Sequence, residues 1–107
     1  MKRGSICWVN LEPVFPPEMG KTRPALVISN SEQNLILGSV VVVPISSRPD
    51  EIWPLRIRIE MPRGKTSFAV LPGIRQVSKE RIQEFSGTAD PGDIRRIDEA
   101  LFCYLKD

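Results

Sequence analysis

The sequence predicts a mainly β protein, a small β-barrel with one C-terminal α-helix. Two observations carry this. Short β-rich runs alternate with turn residues, ten prolines and seven glycines among 107 positions. The one extended helical periodicity lies at the C-terminus. Short strands between Pro/Gly turns favour a barrel over a helical bundle.

The elements follow in order. Ile6-Cys7-Trp8-Val9-Asn10-Leu11 is a short strand, with Trp8 assigned to the core. Pro13 to Gly20 holds three prolines before its glycine, so residues 12–22 form a long first loop. Arg23 opens the second strand, whose continuous apolar part runs from Ala25 to Ser29. Such a run is buried on both faces. Asn30 to Gly38 is a short helix or an irregular turn. Val40 to Val43 are consecutive β-branched residues, which strongly favour a strand. Pro44 lacks a ladder donor, so pairing is expected to falter there. Ile45 to Pro49 then leaves the sheet.

Leu55 to Glu60 alternates, with Leu55, Ile57 and Ile59 on one face and Arg56, Arg58 and Glu60 on the other. Pro62 to Lys65 is a turn. Ser67 to Leu71 is a strand that Pro72-Gly73 interrupts and Ile74 to Val77 resumes. That gives five or six strands. Asp90-Pro91-Gly92-Asp93 reads as a helix start, with Asp90 as N-cap and Pro91 at the first helical position. The helix is expected to run to about Leu105, with Ile94, Ile97, Leu101 and Leu105 on its packed face.

Size and composition set bounds on function. The whole chain, 1–107, is read as one domain. No apolar stretch approaches the roughly 20 residues of a membrane span. The start Met1-Lys2-Arg3-Gly4-Ser5 has no apolar leader core. The expectation is a cytoplasmic protein with no membrane contact. The two cysteines, Cys7 and Cys103, form no metal-ligand or redox spacing and read as small buried thiols. With no histidine, a metal site is not expected. Residues 1–81 carry a net charge of +5 and residues 82–107 a net −3, a distribution compatible with a polyanionic partner.

Arg23, in Lys21-Thr22-Arg23-Pro24, is a charge at the mouth of a buried strand, and such a charge is costly unless paired or used. Antiparallel neighbours bring the start of one strand beside the end of the next. Arg23, Ser46 and Ser47 are thereby placed on one rim of the sheet, where the loop carrying Glu18 and Lys21 opens. A guanidinium fork and hydroxyl donors suit a phosphate. Two readings stand side by side: Arg23 binds phosphate, or it pairs with Glu18 or Glu12 and holds the loop. Ser46 and Ser47 likewise read as phosphate donors or as turn-capping hydroxyls. Arg56 and Arg58 are a solvated strand face or an RNA track. Arg75 joins the same rim or faces water. Phe15, in the proline-rich loop, is suited to stacking on a base, to burial in a partner or to anchoring the loop.

These segments, in this order, resemble the MazF/PemK family of toxin endoribonucleases. The matching pieces are Arg3-Gly4-Ser5-Ile6, Trp8 to Pro13, Glu18, Thr22-Arg23-Pro24-Ala25-Leu26-Val27-Ile28-Ser29-Asn30, Val41-Val42-Val43-Pro44-Ile45-Ser46-Ser47, Ile74 to Arg81 and Ile97-Asp98-Glu99-Ala100-Leu101. The resemblance implies an SH3-like barrel of the CcdB/MazF type, a homodimer, and sequence-selective cleavage of single-stranded RNA without metal or cofactor. It implies inhibition of translation and growth, relieved by a cognate antitoxin whose extended segment occupies the RNA groove. Operator DNA would be met only through the antitoxin complex.

By resemblance Arg23, Ser46 and Glu18 are catalytic and Arg75 joins their site; with Arg75, the rim and loop residues Lys21, Thr22, Ser47 and Phe15 are the candidates for binding substrate. The 2′-hydroxyl would attack, leaving a 2′,3′-cyclic phosphate and a 5′-hydroxyl. Arg23 would stabilise the charge on the phosphorane, Ser46 would donate to a phosphate oxygen, and Glu18 would accept the proton. The chain departs from the family pattern at Pro16-Pro17-Glu18-Met19, where many members carry Gly-His/Ser-Glu-Gln, and at Gly73, where a glutamine is usual. It also has Val70 and Pro72 where some members carry charges. Two other readings remain: a non-catalytic module binding antitoxin or RNA, and a CcdB-like gyrase poison. The ending Tyr104-Leu105-Lys106-Asp107 argues against the second, because that branch uses a terminal Trp-Gly-Ile.

Overall fold

The computed structural model describes residues 1–107. Seven strands and two helices occur in the order β1 (Ser5–Asn10), β2 (Thr22–Val27), α1 (Ser31–Ile36), β3 (Ser39–Ser46), β4 (Arg56–Glu60), β5 (Thr66–Val70), β6 (Arg75–Ser78), β7 (Ile82–Thr88) and α2 (Pro91–Leu105). The strands form one strongly bent antiparallel sheet in the order β4-β5-β3-β2-β1-β7, with β6 also on β3.

Packing follows the alternation along each strand. Ile6, Leu26, Val43, Ile57 and Ile59 join Ile97 of α2 in one core cluster. Cys7, Val9, Ala25, Val27, Val42 and Val77 form a second on the opposite face of β1–β3. The central strands are therefore buried on both sides, as their apolar runs predict. Burial raises the Cys7 thiol above its ordinary value, against a smaller opposing pull from the N-terminal amine. Such a thiol is a packing group rather than a nucleophile.

Regular pairing falters at Pro44 as expected: the β2–β3 ladder ends at its pair with Ala25. On the other side Pro44 lies between the last pair with β6, Val42 with Arg75, and the first pair with β5, Ile45 with Ala69. The missing donor thus falls where β3 exchanges partners. Four expectations are corrected. Strand β7 adds to the five or six expected. The helix begins as predicted, with the Asp90 carboxylate accepting from the Gly92 amide at 2.9 Å, but Leu105 is 67% exposed. Residues 102–107 are all exposed, so the last turn projects past the sheet, and Cys103 is exposed with it. Trp8 is not a core residue; it is 39% exposed and lines a cavity described below.

Two glycines permit close approaches that position the site. A Cβ on Gly73 would lie 2.6 Å from the Pro44 ring, so only glycine lets the segment after β5 cross the bend in β3. Gly87 has φ +141°, and a Cβ there would lie 2.8 Å from the Pro62 ring. No ladder joins β7 to β4, the two ends of the strand path. Instead the turn after β4 packs on Gly87 across that seam.

The connection from β3 to β4 is fastened to the helix. The Glu51 carboxylate accepts from the Arg58 amide at 2.8 Å and from the Arg96 guanidinium at 2.5 Å. Arg96 also donates to the Arg58 carbonyl at 3.0 Å. The Arg58 amide bond, with help from Arg96, holds the Glu51 carboxyl below its ordinary value of 4.5. A lowered folded-state value stabilises the fold above the unfolded value, and the contribution is lost as pH falls through the folded one. Glu51→Gln should therefore cost about 0.5 kcal/mol at pH 7, a small figure because the pair is solvent-screened. The cost should vanish under strong acid. Urea unfolding of both proteins at neutral and acid pH checks this, and a pH-independent difference would refute it.

Candidate active site

Arg23 stands at the start of β2, where its side chain is half-buried. The β2–β3 ladder ends at Ala25 opposite Pro44, so antiparallel order leads Arg23 and Ser46 away from that pair to the same end of the two strands. They share a cavity of about 560 Å³ with Ser47.

This cavity is the open end of the barrel. Trp8, Pro24 and Ile45 line it from β1, β2 and β3. Met61, Pro62, Arg63 and Lys65 line it from the β4–β5 turn, with Ser67 on β5. Glu84, Phe85 and Ser86 complete it from β7. Three cations, Arg23, Arg63 and Lys65, face one carboxylate, Glu84, so the cavity carries a positive excess suited to an anion.

No carboxylate lies within salt-bridge distance of Arg23. Its Nε donates to the Gly20 carbonyl at 2.9 Å, which fixes the plane of the fork. The proposed partners are engaged elsewhere. Glu12 accepts from the Lys21 amide at 2.6 Å, and Glu18 from the Phe15 amide at 2.7 Å. Of the two readings of Arg23, the ion pair is thus absent. Ser46 Oγ accepts from the Arg48 amide at 3.1 Å. That is a turn-capping bond, and because the oxygen only accepts in it, the hydroxyl proton is left to be donated.

The other sequence-predicted residues are not gathered here. Glu18 and Arg75 line a second cavity, of about 490 Å³, between the first loop and the β5–β6 segment. Arg75 donates to the Leu11 carbonyl at 3.0 Å. Arg81, from the turn before β7, donates to the Asn10 and Glu12 carbonyls. These two arginines clamp the root of the first loop. Lys21 and Thr22 are exposed at the start of β2, and Lys21 has φ +64°, a left-handed turn out of the loop. Phe15 is 84% exposed, so it does not anchor the loop.

Sequence reasoning missed Trp8, Arg63, Lys65, Glu84, Phe85 and Ser86 as cavity residues. The basic pair in Arg63-Gly64-Lys65 was a readable signal. The β7 residues offered none, because their strand was not legible. No group of three or more Cys, Asp or Glu side chains is arranged to hold a metal ion. No helix is long and apolar enough to cross a membrane.

Known proteins share this chain's sequence pattern and fold. Residues 2–104 match the family described as PemK-like, MazF-like toxin of type II toxin-antitoxin system. The chain is 30% identical over 109 residues to endoribonuclease EndoA of Bacillus subtilis, covering 98% of this chain and 94% of that protein. It is 29% identical over 113 residues to endoribonuclease MazF9 of Mycobacterium tuberculosis, covering 98% of this chain and 96% of that one. Its fold is similar to the crystal structure of MazF from Deinococcus radiodurans, with a TM-score of 0.87 at 23% identity, over 100% of this chain and 97% of that chain.

Proposed function

The chain belongs to the PemK-like, MazF-like toxin family, and from that premise we propose that it is a sequence-selective endoribonuclease toxin cleaving single-stranded RNA. The observation that carries the reading is Arg23, free of any carboxylate partner, in a cationic cavity that it shares with the Ser46 hydroxyl. Cleavage uses the 2′-hydroxyl of the RNA as nucleophile and leaves a 2′,3′-cyclic phosphate and a 5′-hydroxyl. Arg23 holds the phosphate and stabilises the charge that builds on its equatorial oxygens. Arginine stays protonated, so this role is electrostatic. Ser46 donates its free proton to a phosphate oxygen, and Ser47 supports it at the rim.

The 2′-hydroxyl proton needs an acceptor. Glu18, the acceptor that the resemblance implies, lines the separate cavity and holds the Phe15 amide, so it reaches the phosphate only if the first loop moves. Glu84 is the carboxylate within the cavity itself. Lys21, Thr22, Phe15 and Arg75 contact the flanking RNA in this reading. One domain, 1–107, acts in the cytoplasm as a homodimer. A cognate antitoxin blocks the groove and carries the pair to operator DNA.

The test is incubation of the purified protein with long single-stranded RNA in EDTA. Cleavage at a short recurring sequence, with cyclic-phosphate and 5′-hydroxyl ends, is expected. Intact RNA would refute the reading, and inhibited DNA supercoiling would favour the gyrase alternative. Ser46→Ala should lower kcat about 10- to 1000-fold, the range for one transition-state donor. Unchanged kinetics would leave Ser46 a turn residue. In the same series, Glu18→Gln and Glu84→Gln identify the proton acceptor. Loss of that group should lower kcat about 10²- to 10⁴-fold with KM little changed. If neither variant does so, no side-chain carboxylate is the base.

A further inference from the structure

We propose that Trp8 is a stacking subsite for the RNA base next to the phosphate held by Arg23, with Arg63 and Lys65 receiving the adjoining backbone. The inference rests on the RNA-cleaving reading and adds a base-binding position to it.

The placement comes from strand register. Trp8 is directly opposite Pro24 on β2, the residue next to Arg23. It follows Ile6 at the two-residue spacing of the inner face, yet it is 39% exposed, because the barrel opens at that level. A buried aromatic would close the core. This one presents a face to solvent inside the cavity that holds Arg23.

Strand β7 walls the same cavity. Trp8 pairs with Glu84, so Glu84 lies on the face of Trp8, whereas Phe85 pairs with Cys7 and shares that residue's face, the opposite one. Bulges at Ser86 and Gln83 flank this segment. Trp8 is therefore the aromatic that the ladder places on the cavity side.

The surroundings decide between occupants. Arg23, Arg63 and Lys65 against Glu84 favour a polyanion. Aromatic faces combined with a cationic track are the means by which single-stranded nucleic acid is held, because every base has a stacking face. Trp8 should therefore contribute affinity with little dependence on salt, whereas Arg63 and Lys65 should contribute affinity that salt screens.

Kinetics and fluorescence test this. With an RNA that the wild type cuts, Trp8→Ala should raise KM about 10- to 100-fold, the range for loss of one stacked base, with a smaller effect on kcat. Trp8→Phe should restore most of the loss. The chain has two tryptophans, so Trp53→Phe leaves Trp8 as the sole reporter. A 2′-O-methyl oligonucleotide of the same sequence, which cannot be cleaved, should quench it. Unquenched fluorescence, or a Trp8→Ala enzyme with unchanged KM, would overturn the subsite. So would quenching by an acidic peptide but not by the oligonucleotide, which would assign the cavity to a protein partner. A Trp8→Phe enzyme as impaired as Trp8→Ala, with a lowered melting temperature, would make Trp8 a packing residue and overturn it as well. A wild type that leaves RNA intact would defeat the parent reading, while the quenching measurement would still decide the subsite.

Discussion

Arg23→Ala should abolish RNA cleavage and growth arrest in a protein that still folds. The loss should reach about 10³-fold or more, since the variant removes both a full charge and a bidentate donor from the transition state. The fold should survive, because Arg23 makes one side-chain hydrogen bond, to the Gly20 carbonyl, and no ion pair. Arg23→Lys should fall between the two, because an ammonium keeps the charge and loses the planar fork. Circular dichroism establishes folding, and cleavage in EDTA with an induced-expression growth assay reads function. A folded Arg23→Ala protein that remains toxic would refute the assignment.

Leu26→Ala should produce the second large effect, on stability. Leu26 is fully buried and stands between Ile6 on one neighbouring strand and Val43 on the other. Truncation removes the apolar transfer contribution and leaves a cavity that β1 and β3, paired on both sides, cannot collapse to fill. The expected cost is about 2–5 kcal/mol, against a total of about 5–15 kcal/mol for an ordinary domain. Urea unfolding measures it, and a cost below about 1 kcal/mol would show that this part of the core relaxes freely. At moderate temperature the variant should retain the cleavage rate of the wild type, which separates it from Arg23→Ala.

What was legible in the sequence follows from what leaves a local imprint. The strands around Val40 to Val43 and Ile57 to Ile59 are written in β-branched and alternating residues. The start of α2 is written in Asp90-Pro91. Strand β7 is an edge strand, exposed from Gln83 to Ser86, so no burial pattern was imposed on it. Its sequence Ile82-Gln83-Glu84-Phe85-Ser86-Gly87-Thr88 carries no periodicity to read. Pro44 marked the break in regular pairing, since a residue without an N–H cannot extend a ladder, but which strands meet there is a property of the sheet.

The candidate site divides in the same way. The placing of Arg23 and Ser46 at one end of the sheet follows from antiparallel pairing of consecutive strands, and that much was readable. Glu18 and Arg75 fall in a separate cavity because the first loop folds back toward the segment after β5, a contact between residues far apart in the chain. Trp8 looked like core because an aromatic in an apolar strand normally is. Its exposure depends on the level at which the barrel opens.

The contact of Gly87 with Pro62 has a consequence for substrate size. The two lips of the cavity, β7 and the β4–β5 turn, meet at a point with no room for a methyl group. The gape of the cleft is therefore set where Pro62, itself a lining residue, meets β7. A single added carbon at Gly87 would act as a wedge, altering which strands of RNA can be threaded through without touching any group that cuts them.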